Sequence, residues 1–199
     1  MSTVTISASE VNKLRQQTGA GMMDCKKALT EANGNFEEAV DILRKKGQKV
    51  AANRADRAAA EGCVLAKVSA DKKFAVVLSL NCETDFVAKN EGFVTMTQGF
   101  LDIALDKKCK SADDLQKESY NGLAISEKLI EQTGVIGEKL EIGSFEYLEA
   151  EFIGSYIHAG NRLATIVAFN KTTTEDTGKQ WAMQIAAMSP EYVSQEDIP

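Results

Sequence analysis

Few residues in this chain could do chemistry. The only histidine is His158, and the four cysteines, Cys25, Cys63, Cys82 and Cys109, lie far apart with no Cys-x-x-Cys pair among them. A zinc centre is not expected from such spacings, and a thiol nucleophile would need one cysteine to meet the single imidazole, which nothing in the spacing suggests. Reduced, mostly buried thiols are expected instead. There is no Gly-x-x-x-x-Gly-Lys-Ser/Thr loop, so the chain does not cradle a nucleotide phosphate in that way. The expectation is a protein that is not an enzyme and needs no cofactor. What remains is Thr84-Asp85-Phe86-Val87, where a carboxylate stands beside a large aromatic. Such a pair is an unusual one to leave near solvent.

The flanking patterns say how the pair is held. Phe74-Ala75-Val76-Val77-Leu78-Ser79-Leu80 reads as a strand running into it, and Phe93, Thr97, Phe100, Leu101 and Ala104 recur at helical spacing after it. Asp85 and Phe86 therefore fall at a strand-to-helix turn, where rigid scaffolds tend to mount function. Two readings are open. Either Phe86 plugs the core beneath the turn while Asp85 caps the next helix, the commoner outcome on pattern alone, or both face a partner.

Upstream, the pattern predicts three short helices. Ser7 with Glu10 forms a capping box, and Ile6 with Val11 a hydrophobic staple. Thr18-Gly19-Ala20-Gly21 breaks the first helix, and a second carries Met22, Cys25, Leu29 and Ala32 on one face up to Asn33-Gly34. Met22 reads as core. Met23 falls off that face among Lys26, Lys27 and Thr30, where a flexible, polarizable side chain suits a protein contact. Asn35 with Glu38 opens a third helix, expected to end at Gly47. Residues 48–60 are Ala-rich and basic and suit a connecting helix or linker.

A hairpin of Gly62–Val68 and Phe74–Leu80 follows. After the turn come the Phe93 helix, a helix opened by Ser111 with Asp114, another from Ser126 to Gln132 ahead of Gly134, and a third strand over 139–148. Phe152–His158 and Leu163–Phe169 form a second hairpin through Ala159-Gly160-Asn161-Arg162. A helix from about Glu175 to Met188 places Trp181, Ile185 and Met188 on one face and ends before Pro190. Strands with helices packed on one side make an α+β class. The expected divisions are 1–50, a three-helix docking module; 51–60, a basic linker; 61–149, a first α+β unit; and 150–199, the start of a second.

Charge narrows the partner. The net charge is −6, but residues 1–60 carry 10 Lys/Arg against 7 Asp/Glu, leaving 13 against 22 in the rest. An acidic body argues against a phosphate-backbone binder and toward a protein partner. The run Lys45-Lys46-Gly47-Gln48-Lys49 reads as a solvated face, less often as a docking strip. No apolar run of 18 residues exists, and Met1–Ile6 has no basic leader, so no membrane is expected and the cytoplasm is the expected location.

Cys82-Glu83-Thr84-Asp85-Phe86-Val87-Ala88-Lys89-Asn90 resembles the signature segment of bacterial elongation factor Ts, the nucleotide exchange factor of the GTPase elongation factor Tu. Gly19-Ala20-Gly21-Met22-Met23-Asp24-Cys25-Lys26-Lys27-Ala28-Leu29 is similar to that family's other hallmark, and Gly154-Ser155-Tyr156-Ile157-His158 with Arg162 to its hairpin. The resemblance implies an N-terminal bundle like a ubiquitin-associated domain, docking through Met22 and Met23 on a helix of the GTPase. It implies that Thr84, Asp85, Phe86 and Val87 bind the partner and disturb its Mg²⁺, and that His158 makes a contact. There the chain departs from the family, which commonly has Gly directly after this His where Ala159 stands here. The family continues past this point with a helical hairpin and further strands, so a truncated form or fragment is expected. A ubiquitin-associated-type adaptor is the rival reading; it explains the first fifty residues but not Thr84–Val87.

Overall fold

A computed structural model describes residues 5–199. The reading of a leaderless N-terminus falls largely on residues 1–4, outside those described. In chain order come α1 (Ala8–Thr18), α2 (Met22–Glu31) and α3 (Phe36–Asn53), then β1 (Glu61–Val68), β2 (Phe74–Cys82), α4 (Asp85–Ala88), α5 (Glu91–Asp106) and α6 (Ala112–Lys117). After them follow β3 (Ser119–Tyr120), β4 (Leu123–Ala124), α7 (Ile125–Ile136), β5 (Glu141–Glu149), β6 (Phe152–Ile157), β7 (Ala164–Phe169) and α8 (Glu175–Met188). The class is α+β with antiparallel strand pairing throughout the described residues. Two compact units result: the chain up to Ala59 with Ser126–Leu140, and Ala60–Ile125 with Glu141–Pro199.

In the first unit the expected caps form. Ser7 Oγ accepts from the Glu10 backbone N–H at 3.2 Å while the Glu10 carboxylate accepts from the Ser7 N–H at 2.7 Å, and Asn35 Oδ1 accepts from the N–H groups of Glu37 and Glu38. Leu14, Cys25, Leu29 and Ala39 are fully buried between the helices. Met22 is not core as expected; it is 57% exposed. Helical side chains lean toward the N-terminus, so Met22, the first residue of α2, overhangs the end of a core that begins at Cys25.

Two helices also run past their expected ends. α3 continues through Gly47 to Asn53, and α7 through Gly134 to Ile136. Both glycines belong to one contact rather than to two stops, since a Cβ on Gly134 would lie 2.4 Å from Gly47 Cα. The missing side chains let the two helix backbones touch.

In the second unit β1, β2 and β5 form an antiparallel sheet with β2 in the middle. Helix α5 lies against β1 and β2, and the β6–β7 hairpin against β1, β2 and β5. So β2 reads as a nearly continuous buried run, with Phe74, Val76, Leu78 and Leu80 all at 3% exposure or less. A bulge between Ser79 and Leu80 shifts its register on β5, and Ser79 Oγ takes up the Ser144 N–H at 2.8 Å there. The small hairpin β3–β4 escapes the sequence reading although Asn121-Gly122 marks it: their φ values of 53° and 83° are those of a tight primed turn.

Helix α8 has the expected span but the opposite face inward. Gly178, Ala182 and Ala186 are buried, while Trp181 is 56% and Met188 68% exposed. The hairpin comes too close for large side chains, because a Cβ on Gly154 would lie 2.3 Å from the Gly178 carbonyl oxygen. Thr165 Oγ1 donates to the Ala182 carbonyl at 2.7 Å across the same seam.

Gly134→Ala tests the helix contact in the first unit. Helix propensity alone would stabilise it by about 1 kcal/mol. Overpacking against a backbone that cannot rotate away costs about 1–3 kcal/mol. A net loss of stability in urea melts is expected, and a net gain would remove the contact.

Candidate partner-binding site

The strand-to-helix turn is built by two caps. Thr84, with extended φ/ψ of −125° and 153°, caps α4, its Oγ1 accepting from the Val87 N–H at 3.5 Å. Asn90 caps α5, its Oδ1 accepting from the Gly92 N–H at 2.9 Å and the Phe93 N–H at 3.4 Å. On either side the chain is pinned in the core by Cys82, fully buried, and Phe93, 2% exposed. The Cys82 thiol donates to the Thr84 carbonyl at 3.2 Å. Between the two caps, Asp85–Ala88 form a single helical turn that Lys89 closes.

Phe86 points out of that turn and is 84% exposed. The core-plug reading of Phe86 is therefore wrong, and so is the capping role read for Asp85, since Asn90 caps the Phe93 helix and Thr84 the short α4 before it. Val87 is half-buried at the base of the turn. Asp85 accepts from Lys89 Nζ at 2.7 Å, an i,i+4 pair on the surface. Hydrogen bonding to Lys89 and its charge hold the Asp85 carboxyl below the ordinary carboxylate range, and the charge of Arg162 adds in the same direction. The spacing of Asp85 and Lys89 was legible as an i,i+4 pair; the nearness of Arg162, which comes from the β6–β7 turn and bridges to Glu61 at 3.0 Å, was not.

His158 lies exposed at the end of β6 on that same hairpin. Its Nδ1 is 2.9 Å from the Tyr156 hydroxyl, and its backbone N–H donates to the Leu163 carbonyl at 2.8 Å. All four cysteines are buried thiols, and burial pushes those of Cys25, Cys63 and Cys109 up. Buried thiols of this kind are poor nucleophiles. Met23, like Met22, is exposed, at 63%, and the two sit together at the start of α2 in the other unit. Among the described residues no group of His, Cys, Asp and Glu could hold a metal ion, and no helix is long and apolar enough to cross a membrane.

Comparison with known proteins bears on what this turn is. A family model described as elongation factor TS matches residues 83–199, from the residue before Thr84 onward. The chain is 54% identical to the elongation factor Ts of Christiangramia forsetii, over 97% of this chain and 70% of that protein. The chain belongs to the elongation factor Ts family. Elongation factor Ts of Flavobacterium psychrophilum is also 54% identical, over 98% of this chain and 71% of its own length, and that of Flavobacterium johnsoniae 50% identical, over 98% and 60%. Membership in the elongation factor Ts family makes the chain a translation elongation factor, part of protein biosynthesis. Within that family's matched region lie both the capped turn and the His158 hairpin; Met22 and Met23 precede it but fall within the span shared with the relatives.

Two outcomes are expected at the turn. Phe86→Ala should change stability by less than about 0.5 kcal/mol, as exposed substitutions do. Because the folded Asp85 carboxyl is depressed, whatever stability its pairing contributes is present above the ordinary carboxylate range and lost as pH falls through the depressed value. A ¹³C carboxyl titration should place Asp85 below that range, and Lys89→Met should move it up; an unmoved midpoint would remove Lys89 as the cause.

Proposed function

We propose that this chain is a guanine nucleotide exchange factor that binds the GTPase elongation factor Tu, disturbs the Mg²⁺ held at the GTPase's nucleotide site and promotes GDP release so that GTP can rebind. The observation that carries this reading is the exposed ring of Phe86 on a doubly capped turn beside the Asp85 carboxylate. An exchange factor binds the nucleotide-free GTPase better than the loaded one, and linkage requires it to weaken nucleotide by the same factor. A ring that enters packed side chains near the nucleotide supplies such a preference, since burying a phenyl group is worth up to about 3 kcal/mol.

Asp85 acts by charge. An exposed i,i+4 pair is weak, so Asp85 can leave Lys89 at little cost when a better electrostatic site is offered. Near a metal's ligand network a carboxylate competes for hydrogen bonds and shifts the local potential, and losing the ion unclamps the β-phosphate. Thr84 and Val87 hold the turn and extend the contact. Met22 and Met23 dock the N-terminal helices on the partner, and His158 is a further contact on the hairpin. The chemistry belongs to the partner; this chain supplies binding, needs no cofactor, contacts no nucleic acid and works in the cytoplasm. An adaptor of ubiquitin-associated type would also use Met22 and Met23, but it leaves Phe86 with no task.

Release of fluorescent GDP from elongation factor Tu tests the reading. Phe86→Ala should slow stimulated release tenfold or more, about 1.4 kcal/mol, with and without chelator. Asp85→Asn should be impaired only while Mg²⁺ is present. A Phe86→Ala protein that exchanges at the parent rate would refute the wedge, and an Asp85→Asn defect that persists in chelator would refute the metal role.

A further inference from the structure

The basic run at Lys45–Lys49 has no part in the exchange reading, yet the fold gives it a place. On α3, Ile42, Lys45, Lys46 and Lys49 recur at i, i+3, i+4 and i+7 and share one helix face. Asp24, Lys27, Ala28 and Glu31 do the same on α2. Between the two helices runs an open groove of ≈ 560 Å³ lined by these residues and Leu43. Its floor is apolar, with Ala28 fully buried and Ile42 and Leu43 half-buried. Its rim is cationic. Lys46 is bridged to Asp24 at 2.5 Å, which leaves Lys27, Lys45 and Lys49, all exposed, against Glu31. Neither Met22 nor Met23 lines the groove.

We propose that this groove is a separate docking surface for one acidic amphipathic helix, its apolar side on the half-buried Ile42 and Leu43 above Ala28 and its carboxylates on Lys27, Lys45 and Lys49. From Ile42 to Lys49 the strip runs about 10 Å at 1.5 Å per residue, two turns, the length over which a helix presents i, i+3 or i+4 and i+7 anchors. A trough between two helices takes the ridge of a third. Nucleic acid fits the groove less well. Asp24 and Glu31 interrupt the cationic rim that a phosphate backbone follows, and the lining offers no aromatic ring for a base to stack on. Opposite charge across such a rim sets partner choice and association rate, so binding should weaken with salt.

The proposal is independent of the exchange reading and is tested on the full 199-residue chain without a GTPase. The probe is a fluorescein-labelled helical peptide with Leu at i, i+3, i+4 and i+7 and Glu on the flanks, read by anisotropy, beside the same peptide with Lys in place of Glu. The Glu peptide should bind at least tenfold more tightly than the Lys peptide, and K45E/K49E, at two exposed positions, should lose at least tenfold for it. The methyl signals of Ala28 and Ile42 should shift while that of Met23 stays. Failure of the Glu peptide to bind, equal binding of both peptides, or shifts centred elsewhere would overturn the proposal. So would displacement of the peptide by polyuridine RNA, or concentration-dependent shifts of the same methyls without peptide, which would assign the groove to RNA or to a second copy of the chain.

Discussion

A phenyl ring standing in water is unfavourable, and the arrangement persists only where the backbone leaves the ring no route back. Here that constraint is the pair of caps. Thr84 and Asn90 each spend a side-chain oxygen on the first free N–H groups of a helix, so two helix starts are fixed six residues apart. With Cys82 and Phe93 anchored in the core on either side, the turn that carries Phe86 is held at both ends and the ring stands outward. The apolar area it keeps in solvent, worth about 1.5–3 kcal/mol if buried, stays available to a partner.

The sheet beneath the turn is shaped to the same end. The bulge at Ser79 and Leu80 lies just before the strand leaves the sheet, and Asn81 occupies the space over Gly143, where a Cβ would meet its amide nitrogen at 2.3 Å. Bulges bend and twist the strand that carries them, and here the bent strand delivers Cys82 into the core and Thr84 into a cap. Asp85 follows as the first residue of α4, its charge toward Lys89 and the hairpin that carries Arg162. Position thus comes from one stretch of about a dozen residues, and the electrostatics from Lys89 in that stretch together with Arg162 on the β6–β7 turn.

The same features were unequally visible in the sequence. Caps are local, so Ser7 with Glu10, Asn35 with Glu38 and Ser111 with Asp114 could be read from spacing alone, as could the apolar face of α5. Small residues could not. Gly47 and Gly134 look like helix stops to any local rule, and only the approach of α3 to α7 shows that each is there to admit the other. Likewise the helical period of α8 is correct but its phase is not, because Gly178, Ala182 and Ala186 face a hairpin that tolerates nothing larger, which turns Trp181 outward. For the site, the strand and helix patterns on either side marked the turn, while the exposure of Phe86 goes with the Thr84 cap and the short α4, which flanking periodicity does not show.

Affinity of the chain for elongation factor Tu, measured by calorimetry in the nucleotide-free and GDP-bound states for the parent and for Phe86→Ala, tests the wedge most directly. If the ring enters only where nucleotide has been displaced, Phe86→Ala should weaken binding to the nucleotide-free GTPase tenfold or more and leave binding to the GDP-bound form nearly unchanged. Equal weakening of both would contradict it, because Phe86 would then be a docking contact that does nothing to couple the two sites.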